Sequence, residues 1–210
     1  KKIYEYKNIN DFFMRKYKKY DFGDLDIITP VTAVVRKYSN IKSMSNYIKG
    51  DKILLEKCGI NNVSDFVNNS CYYFYLSPAD YHCFHSPIDG TIEYINDFSK
   101  INYNSKSVKP DLFSSDVLIK NRRYIIEIKR GQFRLVMVII GGFLVDSIRI
   151  KDNIKKGYNI NKGEMIGSFA LGGSAVLLLT NKEFHSFTND YSCPIKFKVG
   201  NNFGLFKKNK

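Results

Sequence analysis

Eight strand-length apolar segments, none long enough to cross a bilayer, set the limits on what this chain can fold into. They are Ile27 to Val35, Ser70 to Leu76, Gly90 to Tyr94, Arg123 to Lys129, Phe133 to Ile140, Phe143 to Ile150, Ala175 to Thr180 and Ile195 to Val199. The longest apolar stretches, around Leu135 to Val145 and Ala175 to Leu179, fall well short of a membrane-spanning helix. Helical pattern is confined to two places. In the first twenty residues Ile9, Phe12, Phe13 and Tyr17 recur at helical spacing, with Asn8 or Asn10 as a cap, and a second stretch covers Val63 to Asn69. These patterns predict an α+β, mainly β single domain of packed antiparallel sheets with a short N-terminal helical segment. At 210 residues, 44% of them hydrophobic, the chain can bury one sizeable core.

Chemistry-bearing residues gather at two places. Residues 170–179, ALGGSAVLLL, set Gly172-Gly173-Ser174 between apolar runs. A serine after glycine in a strained turn can aim its hydroxyl at the carbonyl on its own amino side, because glycine tolerates backbone angles that other residues resist. Gly173–Ser174 is thus a candidate self-cleavage bond, although such a triplet before a buried strand also serves as an ordinary turn. Residues 77–90, SPADYHCFHSPIDG, hold two of the three histidines. Histidine is the side chain suited to move protons near neutral pH. At His-x-x-His spacing, with no third convergent ligand, no metal is expected.

Taken together, Asp80-Tyr81-His82-Cys83-Phe84-His85-Ser86-Pro87-Ile88-Asp89-Gly90, then residues 162–169 (KGEMIGSF), then Gly172-Gly173-Ser174, resemble in order and spacing the phosphatidylserine decarboxylase proenzyme family. The resemblance runs along nearly the whole chain. Residues 10–15 (NDFFMR) are similar to the family's Phe-Phe-x-Arg segment, and Thr29-Pro30-Val31 stands where the family has Ser-Pro-x-Asp-Gly. Asn121-Arg122-Arg123-Tyr124 resembles its Asn-Glu-Arg stretch, Met137 to Ile148 its glycine-centred buried strands, and Ile195 to Gly200 its closing strand.

The resemblance implies a two-stage chemistry. Ser174 Oγ, deprotonated by a histidine, attacks the Gly173 carbonyl, and elimination and hydrolysis of the resulting ester leave a pyruvoyl group derived from Ser174. One domain, residues 1–210, would become two chains, 1–173 and 174–210. The pyruvoyl cofactor then serves as the electron sink for decarboxylation of phosphatidylserine to phosphatidylethanolamine. Carried over residue by residue, His85 is the base for self-cleavage and His82 acts in decarboxylation as a proton donor. His85 is expected within hydrogen-bond reach of Ser174, directly or through one water, with Thr32 on its far side.

Four positions depart from the family pattern. Thr32 is the degenerate triad position, standing where the aspartate that supports the cleaving histidine belongs. In a serine protease triad, loss of that aspartate costs about 10⁴ in rate, enough to stretch about an hour to about a year. Ala175 replaces the usual Thr or Ser, Cys83 an Arg, and Arg122 a Glu. Two readings follow. In one, another acid, with Asp80, Asp89 and Asp26 as candidates, supports His85 and the chain matures. In the other the chain is a non-cleaving pseudoenzyme of the same fold that binds anionic lipid or regulates a partner. The retained nucleophile, histidines and turn favour the enzyme.

Charge fits a peripheral membrane protein. The chain has 33 Lys plus Arg against 20 Asp plus Glu, a net charge of +13. Its lysines are scattered, with concentrations at Lys16 to Lys19, Lys155-Lys156 and Lys207 to Lys210. An anionic membrane surface attracts each nearby basic residue by about 1 kcal/mol. Nucleic acid is not expected as a partner, since no binding module appears, and a homo-oligomer is compatible with the sequence. A chain that opens on Lys1-Lys2 is also compatible with an upstream leader or anchor. Cys58, Cys71, Cys83 and Cys193 show no metal-ligand rhythm and read as free thiols of a reducing compartment. Cys83, between the two histidines, is a candidate for activation by them. Asn96 to Phe113, rich in Ser, Asn and Lys, reads as a surface excursion that gates lipid entry.

Overall fold

The apolar segments pair as antiparallel strands, since β-branched and aromatic side chains fit a pleated, buried surface. The computed structural model describes residues 5–40, 51–98, 115–142, 148–170, 174–186 and 195–207. Its strands are β1 (Ile27–Ile28), β2 (Ala33–Tyr38), β3 (Cys71–Leu76), β4 (Cys83–His85), β5 (Gly90–Asp97), β6 (Arg123–Arg130) and β7 (Phe133–Gly141). There follow β8 (Ile148–Ile150), β9 (Asn159–Ile160), β10 (Met165–Phe169), β11 (Ser174–Thr180), β12 (Phe184–Ser186), β13 (Ile195–Phe197) and β14 (Asn202–Phe206). An eight-stranded sheet runs β13-β2-β3-β11-β7-β6-β5-β9, and two three-stranded sheets run β1-β14-β12 and β4-β10-β8.

Both faces of the large sheet are buried, which is why its central strands read as unbroken apolar runs. Successive side chains alternate faces. Leu135, Met137 and Ile139 of β7, with Val176 and Leu178 of β11, join Phe84, Ile148, Ile166, Phe169 and Phe203 of the small sheets in one core. Val136, Val138, Ile140, Ala175, Leu177 and Leu179 face a second core, closed by Leu55, Phe66, Val117 and Leu118. Arg123, 1% exposed, ties that second layer together: Nε donates to Cys58 O at 2.8 Å, Nη1 to Ile119 O at 2.9 Å and Nη2 to Lys57 O at 3.1 Å. The β6–β7 hairpin turns at Gly131, whose φ of 56° is the positive value that a two-residue hairpin loop asks of glycine.

The mainly β expectation holds, with corrections in detail. The segment Ile27 to Val35 is two strands, because Pro30 has no N–H to donate to a ladder. The first helix is short, Ile9–Phe13; Asn8 is its cap, accepting from Asp11 N–H at 2.8 Å. Tyr17 lies beyond it. Val63 to Asn69 supplies only a 3₁₀ turn at Val63–Asp65. Helices at Asp51–Cys58 and Ser115–Lys120, and strands β4, β9, β10, β12 and β14, were not expected: they are short and take their regularity from what they pack on. Asn96 and Asp97 complete β5 rather than opening an excursion, and residues 99–113 lie outside the described residues, as do 143–147 of the expected strand at Phe143 to Ile150. No described helix is long and apolar enough to cross a membrane.

Candidate active site

His82 lies in the loop from β3 to β4 and His85 ends β4, and hydrogen bonds hold that loop at Asp80. Asp80 N–H donates to Ser77 O at 2.9 Å, closing a turn, and the Asp80 carboxylate accepts from Ser77 N–H at 2.9 Å and Ser77 Oγ–H at 2.8 Å. Lys196 pairs with the other carboxylate oxygen. Burial works against the Asp80 charge, but the bonds from Lys196 and Ser77 outweigh it and hold the carboxyl below its usual range.

The His82 ring lies under Phe13, with centroids 3.6 Å apart, and its Nδ1 is 2.8 Å from Asp80 O. A carbonyl only accepts, so Nδ1 carries the proton and Nε2 holds the lone pair. That Nε2 is buried and without a hydrogen-bond partner among the described residues. Burial pushes the His82 pKa down to about 4; the charge of Arg15 assists and the Asp80 carbonyl opposes. At neutral pH His82 is a neutral base with an unused lone pair.

His85 is engaged at both nitrogens. Nδ1–H donates to Gly163 O at 2.7 Å, leaving Nε2 to accept from Tyr81 O–H at 3.0 Å, and Tyr81 Oη in turn accepts from Tyr20 O–H at 2.7 Å. A chain of phenols thus runs from half-buried Tyr20 to the buried imidazole. Gly163 can offer its carbonyl because it adopts φ +81° and because a Cβ there would meet the Phe22 ring at 2.7 Å. Burial lowers the His85 pKa, the Gly163 carbonyl opposes, and Lys151 assists.

Ser174 opens β11, paired with Leu76 of β3 and Gly141 of β7. Strand alternation directs its side chain to the face of Val176 and Leu178, the core shared with β4 and β10. On that face Gly141 contributes no side chain. Asn121 Nδ2–H donates to Gly141 O at 2.8 Å and Gly141 N–H to Arg122 O at 2.9 Å, so residues 121 and 122 fix the strand opposite the serine. Ser174 Oγ is buried without a hydrogen-bond partner among the described residues. Leaving a buried hydroxyl unpaired costs about 1–3 kcal/mol.

Two expectations, a substitute acid on His85 and an activated Cys83, are corrected by the hydrogen-bond partners and burial of these groups. No direct hydrogen bond joins His85 to Ser174: the serine oxygen has no partner and the histidine nitrogens have others. Thr32 Oγ1 accepts from Val199 N–H at 3.0 Å, a role a hydroxyl fills without charge. None of the three substitute acids bonds to His85. Asp80 is taken by Ser77 and Lys196, Asp89 accepts from Lys162 N–H at 2.8 Å and pairs with Arg130 at 3.5 Å, and Asp26 accepts from Phe206 N–H at 3.0 Å. The carbonyl of Gly163 holds the proton-bearing side of His85 instead. Cys83 is a buried thiol whose pKa burial raises, so it is not activated. Gly173 and Cys193 lie outside the described residues.

The family model for phosphatidylserine decarboxylase matches residues 9–205. The chain belongs to the phosphatidylserine decarboxylase family. It is 31% identical over 217 residues to the phosphatidylserine decarboxylase proenzyme of Geobacillus kaustophilus, covering 98% of this chain and 79% of that protein. It is 30% identical over 188 residues to the proenzyme of Fusobacterium nucleatum, 86% of this chain and 62% of the relative. Against phosphatidylserine decarboxylase proenzyme 2 of Saccharomyces cerevisiae the match is 31% over 199 residues, 89% of this chain but 17% of that protein.

In this phosphatidylserine decarboxylase-family chain Ser174 faces the core shared with β4 and β10, and the two histidines are held by Phe13, Arg15, Tyr20, Tyr81 and Gly163. Sequence reasoning named the last five only as parts of motifs. Asp80 has a testable structural part. An unfolded aspartate titrates near ~3.9, and the folded carboxyl lies lower, so its bonds contribute fully above that pH and are lost as pH falls below it. Asp80→Asn is expected to cost about 1–2 kcal/mol at pH 7, the half-exposed Lys196 adding little. Urea unfolding at neutral and strongly acid pH checks this: the difference from wild type shrinks in acid, and an equal difference at both would contradict it.

Proposed function

We propose that the chain is a proenzyme that cuts itself between Gly173 and Ser174 and then decarboxylates phosphatidylserine to phosphatidylethanolamine at the surface of an anionic membrane. The observation that carries this reading is a pair of buried, unpartnered groups, Ser174 Oγ and His82 Nε2, on a family scaffold that leaves them for chemistry. In cleavage Ser174 Oγ attacks the Gly173 carbonyl carbon, the peptide C–N bond breaks, and an ester and a free Ser174 amine result. Loss of the Gly173 carboxylate from Cβ leaves dehydroalanine, and water releases ammonia to leave a pyruvoyl group.

The residues present fit that group: Ser174, whose Cα becomes the ketone carbon, is buried, its oxygen is unpaired, and its side chain is on the face toward the histidine-bearing sheet. A pyruvoyl ketone supplies an electron sink for the pair left when carbon dioxide departs. His82, neutral at Nε2, takes a proton from the substrate ammonium and returns it to the carbon that lost carbon dioxide. His85 serves the cleavage step by leaving Tyr81 and turning Nε2 to the serine. The non-cleaving alternative is not favoured by the proenzyme names of the relatives.

This reading makes Tyr81 a restraint on maturation. A neutral hydrogen bond is worth roughly 0.5–1.5 kcal/mol net, so freeing His85 of it is worth about 2- to 10-fold in rate. Tyr81→Phe is expected to mature faster by that factor in a time course followed by denaturing gel, and slower maturation would contradict the role given to His85. The whole function is tested by following carbon dioxide release from vesicles that contain phosphatidylserine; none from fully cleaved protein would sink it.

A further inference from the structure

We propose that Arg15 is a positioning residue of the decarboxylation site, acting through the backbone carbonyl that fixes the His82 ring. This rests on the reading that His82 moves a proton in that reaction. The guanidinium donates three bonds to carbonyls: Nη1 to Phe12 O at 3.0 Å, and Nη2 to Ala79 O and Asp80 O, each at 2.8 Å. The first anchors the arginine to the end of its own helix. The other two pin consecutive carbonyls of the histidine loop, 64 and 65 residues away in sequence.

Asp80 O is the shared point, accepting from both Arg15 and His82 Nδ1–H. Fixing that oxygen fixes which imidazole nitrogen carries the proton, and so which one presents a lone pair. Phe13, two residues before Arg15, covers the ring face at 3.6 Å. One short N-terminal segment therefore holds the imidazole by face and by edge. The nitrogen it leaves over is the buried, unpartnered Nε2. A planar fork suits two adjacent carbonyls in a way that a single ammonium does not. The Arg15 charge also disfavours imidazolium, in keeping with a base that stays neutral until substrate arrives.

The test reads the His82 tautomer by long-range proton–nitrogen NMR in the full chain, alongside kcat and KM on phosphatidylserine vesicles. Wild type is expected to show the Nδ1–H form alone. Arg15→Ala is expected to show both tautomers and to lose roughly 10- to 100-fold in kcat with KM little changed, the scale on which outer-shell partners act. Arg15→Lys should fall between them. If the alanine variant fails to fold, the lysine variant decides on the same readouts. A wild-type tautomer and wild-type kcat in a folded Arg15 variant, with His82→Ala inactive, overturns the positioning role and leaves the reading of His82 intact. Full activity in His82→Ala overturns that reading, and the tautomer of the Arg15 variants then judges the clamp by itself.

Discussion

Ser174→Ala is expected to stay at full length and to release no carbon dioxide from phosphatidylserine, while the wild-type chain divides into residues 1–173 and 174–210. The substitution removes the attacking oxygen and, with it, the leaving group whose loss from Cβ would open the way to the ketone. No other described group can take over, because cleavage at this bond needs a nucleophile on the residue that follows it. The loss cannot be attributed to misfolding. Ser174 Oγ makes no hydrogen bond among the described residues, so its removal leaves no polar atom stranded, and the next residue of the strand is already Ala175. Thermal unfolding of the variant is expected to match or exceed that of uncut wild type. A cleaved Ser174→Ala chain would place the processing bond elsewhere.

His82→Ala is expected to separate the two stages: the chain still cuts itself, and decarboxylation by the cut protein falls by roughly 10²–10⁴, the usual contribution of a positioned acid–base group. The separation follows from the hydrogen bonds. His82 presents a free Nε2 that burial keeps neutral, its pKa pushed down to about 4. His85 is tied to Gly163 and Tyr81, and is the group proposed above for cleavage. His85→Ala is expected to show the opposite pattern, with the chain left whole. Mass analysis scores the first stage and labelled carbon dioxide the second; a His82→Ala chain that fails to cut would reverse the two assignments.

What the sequence made legible was the set of residues, and what it concealed was their partners. β3, β6, β7 and β11 are buried on both faces, so their composition alone marks them as strands. β4 and β10 are different: Cys83–His85 and Met165–Phe169 are short and mixed, and become strands by pairing with each other across the chain. The histidines and the serine stood out as motifs. Nothing local, however, announces that Gly163 will hold His85 from 78 residues away, or that Arg15 will hold the carbonyl behind His82. Thr32 was readable as the loss of a charge but not as a gain. Its hydroxyl accepts the Val199 N–H, a bond between positions 167 residues apart. The expected carboxylate on His85 failed for the same reason, since Asp26, Asp80 and Asp89 each bond to another donor.

Intact-mass analysis of the wild-type chain, held for days with vesicles that contain phosphatidylserine, tests the central claim most directly. The account predicts two masses that meet at Gly173–Ser174, with the smaller fragment closed to Edman sequencing because a pyruvoyl terminus has no amine. A single full-length mass, unchanged through that incubation, would contradict it.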